Sequence, residues 1–257
     1  MKIPSRRGFL GGALVGLGAA ALSGCDRLVQ SGPTDRILRG TEHLTMNAQR
    51  ALQARGTLAA EFSESDLSPV FRANGTRLPA SDEYARLMDS KFADWRLRVD
   101  GLVQKPLSLS LDDLMRLPSR TQITRHDCVE GWSAIAKWQG VQLGRVLDTA
   151  GLSPGARYVV LHCADELEQT LDGSGRYYES IDLLDAWHPQ TILAYAMNDR
   201  RLPVEHGAPL RLRVERQLGY KQAKYLMRLE VVPSFDHLWG GKGGYWEDRG
   251  YEWYAGI

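Results

Sequence analysis

From Trp95 to Val232 short strand-like and short helix-like segments interleave, and glycine or proline punctuates most of the links between them. No internal repeat or low-complexity block relieves that pattern. Strand candidates are 122–125, 158–162, 191–196, 210–214 and 225–232, preceded by Trp95–Val99, where apolar and polar residues alternate up to an Asp100-Gly101 turn. Helix candidates are fewer. Ser81 caps one that places Tyr84, Leu87 and Met88 on one face, and Ser110 with Asp113 forms an acidic capping box ahead of Pro118. Leu143 to Ala150 closes at Gly151, and Ile181 to Ala186 follows a Ser180 cap. Strands outnumber helices and the irregular fraction is large, so the expected class is α+β, with mixed β-sheets, short helices and many loops.

The N-terminal segment reads as an address. Arg6 and Arg7 open a short basic stretch, and an apolar, glycine-rich run follows from Gly11 to Gly24, short for a bilayer span. A twin-arginine pair in that setting is an export signal, read by the twin-arginine machinery, which carries proteins already folded around a cofactor. The run ends Leu22-Ser23-Gly24-Cys25, similar to a lipoprotein cleavage box in which Cys25 becomes the lipidated first residue. The expected organisation is a signal at 1–24, a polar, alanine-rich tether at 25–66 with helix around Leu44 to Ala54, and one domain at 67–257. About 190 residues suffice for one domain with a substantial core. The expected location is the periplasm, at a membrane surface, held by the lipid.

Charge excludes one class of partner. Loss of residues 1–24 removes three of the 32 Lys and Arg and none of the 31 Asp and Glu, and no basic stripe remains that would argue for nucleic acid. Cysteines are sparse: with Cys25 in the signal, only Cys128 and Cys163 are left, without a Cys-x-x-Cys or a zinc-like spacing.

Three segments carry potential chemistry. In Arg125-His126-Asp127-Cys128-Val129-Glu130-Gly131-Trp132 a cysteine ends a strand beside charged groups and a glycine turn. Arg125 and His126 would depress its pKa and Asp127 would oppose them, which leaves a metal ligand, a catalytic thiol and half of a disulfide all open. In His206-Gly207-Ala208-Pro209-Leu210-Arg211-Leu212-Arg213-Val214 the alternation puts Arg211 and Arg213 on the face opposite the core, where His206 and Arg211 could meet one anion. Gly219-Tyr220-Lys221-Gln222-Ala223-Lys224 offers a glycine turn, two lysines and free amides around a phosphate. Taken singly, each also reads as solvated charge. The tail from Trp239 to Ile257 reads as a surface wrap whose aromatics pack.

In this order the three segments resemble the molybdopterin-binding domain of the sulfite oxidase family, nearest its bacterial periplasmic methionine sulfoxide reductase branch, over about Leu67 to Val232. The resemblance implies a single such domain and a molybdenum-molybdopterin cofactor, with Cys128 as the thiolate ligand to the metal and the catalytic centre. It implies that Arg211 holds the pterin phosphate, with His206 at a His or Asn position, and that Gln222, Ala223 and Lys224 wrap the cofactor. Asn74 matches a pterin-contacting asparagine, and Cys163 falls where the reductase branch has a cofactor-contacting threonine. Arg125, Glu130 and Trp132 would tune the metal and substrate access.

Two departures bear on the substrate. Asp127 precedes the metal cysteine, where a carboxylate would repel sulfite. The chain also ends too soon for the dimerisation domain of sulfite oxidases and has no haem motif. The expectation is oxygen-atom transfer, or reduction of a small S-oxide or N-oxide of little charge, with a membrane cytochrome b or a soluble cytochrome c as electron partner. A sulfite-oxidising enzyme, a Cys128/Cys163 thiol enzyme and a ligand-binding lipoprotein are the rivals.

Overall fold

The computed structural model describes residues 32–52, 56–171 and 173–257. The expected signal at 1–24, with Arg6, Arg7 and the lipidated Cys25, lies outside the described residues. The chain divides into two units, Met1–Leu52 and Gln53–Ile257. In the first, helix α1 runs Gly32–Leu52; no described helix is long and apolar enough to cross a membrane.

The second unit is built on two five-stranded sheets. One has the order β2-β1-β10-β5-β6: Leu107–Leu109, Leu97–Gly101, Leu226–Val232, Tyr158–Glu166 and Arg176–Asp182. β1 and β10 run parallel and the other neighbours antiparallel. The other sheet has the order β3-β4-β7-β8 (Ser119–Asp127, Ser133–Gln142, Ile192–Met197, Arg200–Arg201), and β9 (Arg211–Arg213) also pairs with β7. This is an α+β fold of mixed sheets with few, short helices.

The caps form as their sequences dictate. The Ser81 hydroxyl accepts the amide of Tyr84 to start α2, Asp82–Asp89. Ser110 and Asp113 form a reciprocal capping box on α3, Leu111–Arg116. Helix α4 spans Leu143–Ala150, ends at Gly151 and buries Leu143, Val146, Leu147 and Ala150. The Ser180 cap is a correction: Ser180 and Ile181 belong to β6, and Asp182 caps α5, Leu183–Ala186. The Ser180 hydroxyl is buried instead, donating to Gly243 O and accepting Trp253 Nε1 at 2.8 Å.

A single large core lies between the sheets, with Trp95, Leu97, Val160, Leu161, Leu193 and Leu212 among its members. A second, smaller cluster of Ala136, Trp138, Ile192, Ala194, Met197 and Leu202 covers the far face of the second sheet. Alternate residues of β7 therefore serve opposite clusters, Leu193 one and Ile192 the other. Residues before 67 take part in this unit: Phe62 N bonds Ile123 O at 2.9 Å, and Gln190 pairs through its side-chain amide with both Ala59 N and Ala59 O.

Candidate cofactor site

β3 and β4 form a hairpin whose five-residue tip is Cys128 to Trp132. The tip closes through Cys128 N to Trp132 O at 2.9 Å and Gly131 N to Cys128 O at 3.0 Å, with Gly131 at φ +85°, a left-handed conformation natural to glycine. Cys128 is thereby held on a rigid two-stranded arm. Its side chain lines an open cleft of about 720 Å³, mouth included, which Asn74, Asp165, Tyr177, Gln222 and Lys224 also line.

Of three segments that meet here, two line this cleft, through Asn74 and through residues of the Gly219 to Lys224 turn; the 206–213 segment lies behind them and contributes no lining residue. Phe71 anchors the first: its ring lies 5.4–6.1 Å from those of His126, Trp132, Trp138 and His206 and so fixes the turn that presents Asn74. The second is the 206–213 segment, where the expectation of solvated arginines is corrected. Arg211 and Arg213 do face away from the main core, but the second cluster covers that face, and both are fully buried. Their guanidinium carbons lie 4.9 and 4.4 Å from the centre of the Trp138 ring.

The two arginines then part company. Arg213 is neutralised by Glu215 at 2.5 Å and also donates to His126 Nδ1 at 3.1 Å. Arginine only donates, so His126 Nδ1 accepts and the ring proton sits on Nε2. Burial, then Arg213 and Arg211, holds the His126 pKa well below its ordinary value. Arg211 donates to His206 O at 3.0 Å and Gln222 O at 3.4 Å and has no carboxylate within ion-pair distance among the described residues. Its Nε is buried with no partner. Burial and the neighbouring Arg213 pull its pKa down to about 9.

The third segment carries a similar contrast. Lys221, expected near a phosphate, is fully buried between Glu179 and Glu247, and its charge is spent there. Lys224 makes no such pair: its ammonium donates to the carbonyls of Asn74 (2.7 Å), Thr76 and Glu205 (3.2 Å). Burial and then Arg211 lower its pKa to about 7. Gln222 lies on the cleft floor, and Ala223 lies behind it, with its carbonyl accepting Leu212 N at 2.8 Å. His206 is buried beside Arg211, and burial followed by that arginine pulls its pKa to about 4.

Asp165 is a cleft residue that the sequence reading passed over. It is buried, its Oδ1 has no partner, and burial raises its pKa to about 6 against the opposing charge of Lys224. It lies near the C-terminal end of β5, one residue before the strand closes at Glu166. Cys163, two residues earlier on β5, lines a different cleft. Both thiols are free.

Two further expectations are corrected. Burial raises the Cys128 thiol pKa against the backbone N–H groups of Glu130 and Val129; Arg125 and His126 do not depress it, since Arg125 pairs with Asp127 and His126 turns into the core. Asp127 is held by Arg125 at 2.9 Å and by the Ser133 hydroxyl, and it does not line the cleft. The carboxylate invoked against sulfite is therefore already compensated on the outside of the hairpin. The tail aromatics do more than pack, because Trp246 and Tyr251 line the cleft.

A sequence model described as the oxidoreductase molybdopterin binding domain matches residues 84–237. The chain belongs to this family. Its members are oxidoreductases of the sulfite oxidase type, and the chain sits with their methionine sulfoxide reductase branch. It is 36% identical, over its whole length and 89% of the relative's, to a protein of Azospira oryzae with the provisional name protein-methionine-sulfoxide reductase subunit YedZ1. It is also 36% identical over 148 residues to the protein-methionine-sulfoxide reductase catalytic subunit MsrP of Xanthomonas axonopodis pv. citri, covering 55% of this chain and 46% of that one. The chain thus spans about half the length of the catalytic subunits it matches. The sulfane dehydrogenase SoxCD of Paracoccus pantotrophus aligns with 26% identity and a TM-score of 0.49, over 55% of this chain and 39% of that one.

The residues present fit the family's cofactor. A phosphate needs fixed cationic donors, and Arg211 and Lys224 are buried cations with no ion-paired carboxylate among the described residues, one with a free Nε. A pterin ring offers N–H donors, and Asp165, whose Oδ1 is unpartnered, lines the same cleft. A thiol stands on the same cleft for a soft metal.

Proposed function

We propose that the protein is a periplasmic molybdenum oxidoreductase that reduces a small S-oxide or N-oxide of low charge. The observation that carries this reading is the sharing of one cleft by Cys128 and Lys224, backed by Arg211, neither buried cation being ion-paired with a carboxylate among the described residues. Arg211, Lys224 and His206 would hold the pterin phosphate. Asn74, Asp165, Gln222 and Ala223 would seat the pterin, Cys163 lines a second cleft that shares Tyr177 with the first, and Cys128 would ligate the metal. When bound, the cofactor supplies the two-electron oxygen-atom chemistry, and the protein orients the substrate and keeps the site shaped.

Reduction of an S-oxide takes two electrons and two protons and releases water, so an external donor is required. A membrane cytochrome b or a soluble cytochrome c fits that need. The Arg6-Arg7 pair supports export after cofactor loading, and the Leu22-Ser23-Gly24-Cys25 box supports a lipid tether near a membrane donor. Against sulfite stands the lining of the cleft: its one cation among the described residues is Lys224, on the buried floor, and its outer part bears the carboxylate of Glu130. A dianion would meet no counter-charge there.

The test is metal analysis and turnover on protein from a molybdenum-replete host. Stoichiometric molybdenum, its loss in Cys128→Ala, and viologen-driven reduction of S-oxides or N-oxides are expected. Full metal and activity in Cys128→Ala would remove the ligand assignment, and turnover of sulfite alone would reverse the substrate assignment.

A further inference from the structure

The matched family domain ends at residue 237, yet the wall of the cleft nearest solvent comes from beyond it. Trp246 and Tyr251 stand on the cleft with Val129 and Glu130 of the cysteine hairpin. The cleft is graded from inside to outside. Its floor is buried and polar, with Asp165, Gln222 and Lys224; its rim is open, with Val129 47% and Tyr251 37% exposed. The floor carries the groups that suit a phosphate and a pterin. The rim carries two aromatic rings, an aliphatic side chain, the Glu130 carboxylate and no cation.

These rings are held before any ligand arrives. A bond of 3.0 Å from Tyr251 N to Trp246 O folds the tail back, so that the two rings stack at 5.3 Å and 27°. Tyr220, from the turn that leads into Gln222 and Lys224, meets Tyr251 edge-on at 5.1 Å and 86°, and its hydroxyl donates to Glu252 O at 2.7 Å. Glu247, one residue after Trp246, is tied to the buried Lys221 of the same turn. The rings have therefore lost their rotamer freedom on folding, and a ligand that contacts them orders little more.

We infer that Trp246 and Tyr251 form the substrate-recognising wall of the cleft and select a neutral S-oxide bearing an apolar substituent of about aromatic size. This rests on the reading of the cleft as an oxide-reducing site and names its substrate class. An aryl or alkyl thioether oxide presents a flat or flexible apolar group to the ring faces, and sulfur itself makes favourable contacts with aromatic rings. An anionic substrate gains nothing from such a wall. The rings act by binding the substituent equally in ground and transition states, so they act on KM and not on kcat.

The test uses molybdenum-loaded wild-type enzyme, Trp246→Ala, Tyr251→Ala and Tyr251→Phe. Calorimetric binding of methyl phenyl sulfoxide is measured without reductant, and viologen-driven reduction is measured on methyl phenyl sulfoxide and dimethyl sulfoxide. Each alanine variant should weaken binding of the aryl sulfoxide about tenfold and raise its KM to match, with kcat unchanged. Dimethyl sulfoxide kinetics should stay within about twofold, Tyr251→Phe should behave as wild type, and molybdenum and pterin content should not change. Equal aryl sulfoxide affinity in wild type and both alanine variants would overturn the inference. So would loss of cofactor from either variant, since the rings would then hold the cofactor. Binding of the aryl sulfoxide that depends on the rings, with no oxide reduced by wild type, would sink the reductase reading and leave the wall standing. Reduction of dimethyl sulfoxide by a wild type that does not bind the aryl sulfoxide would do the reverse.

Discussion

Gly219 packs directly on the His126 imidazole: a β-carbon at residue 219 would stand 2.5 Å from Nε2. The turn that leads into Gln222, Ala223 and Lys224 is therefore seated on the strand that leads to Cys128, and the absence of a side chain lets the two meet. Gly219→Ala should overpack this contact, at a cost of about 1–3 kcal/mol, and should lift the turn away from the hairpin. Lower urea midpoints together with reduced molybdenum content are expected; an unchanged midpoint and full metal would show that the turn shifts freely.

Arg211 and Arg213 should give opposite signatures although they are two residues apart on one strand. Arg213→Met strands the buried Glu215 carboxylate and should cost about 3–5 kcal/mol of stability. Arg211→Met removes a buried charge that has no carboxylate partner, and it should cost less than about 2 kcal/mol while cofactor retention collapses. Denaturation curves paired with metal analysis distinguish the two, and equal stability losses would contradict the assignment.

His206 should give the cofactor-free protein a measurable pH dependence. Its pKa falls from an ordinary 6.5 to about 4, through burial and then Arg211, with Glu205 opposing and Lys224 and Arg77 assisting. The unfolded chain therefore binds the proton more readily, so this contribution is complete above pH 6.5 and is lost as pH falls toward 4. The difference amounts to at most about 3 kcal/mol. Asp165 slopes the other way: with its pKa raised from 3.8 to about 6, its contribution is present below 3.8 and is lost as pH rises through 6. The comparison that isolates His206 is wild type against His206→Asn, in protein from a molybdenum-free host. The stability gap between them should grow in favour of the variant as pH drops from 6.5 to 4.

Lys221 ties β6 to the tail through Glu179 and Glu247, and both of those carboxylates keep a buried oxygen without a partner. Lys221→Met should leave two facing carboxylates, cost about 3–5 kcal/mol and release the tail. Limited proteolysis between residues 239 and 257 should accelerate in the variant. A tail as resistant as in wild type would show that Tyr245 N to Tyr178 O and the Trp253–Ser180 bond suffice to hold it.

Local signals were legible where a local rule governs. Ser81 and Ser110 cap their helices because a hydroxyl three residues before an unpaired amide satisfies it wherever the helix packs. The helix from Leu143 to Ala150 was readable to the residue, since its apolar stripe and closing glycine agree. Strands β4 and β6 were missed for definable reasons. β4 buries Ala134 and Ala136, whose small side chains give a weak alternation, and β6 is buried on both faces through Tyr177 to Ile181, so it has no alternation to read. The Ser180 cap failed for the same cause, because a buried strand running into a helix resembles a longer helix.

By itself the sequence determined the family, the class of fold and the ordered set of segments that carry the thiol, the arginines and the lysines. Tertiary structure alone decided which charges are free to act. The alternation in 210–214 sets the face that Arg211 and Arg213 share, but whether that face meets water, Trp138 or a carboxylate depends on segments far away in the chain. His126, which accepts from Arg213, is 87 residues distant. Lys221 and Lys224 differ in the same way, one spent between two glutamates and the other bonded only to carbonyls. Compensation of a buried charge is a property of the space around it. A linear pattern specifies which way a side chain points, and only the folded chain specifies what it meets there.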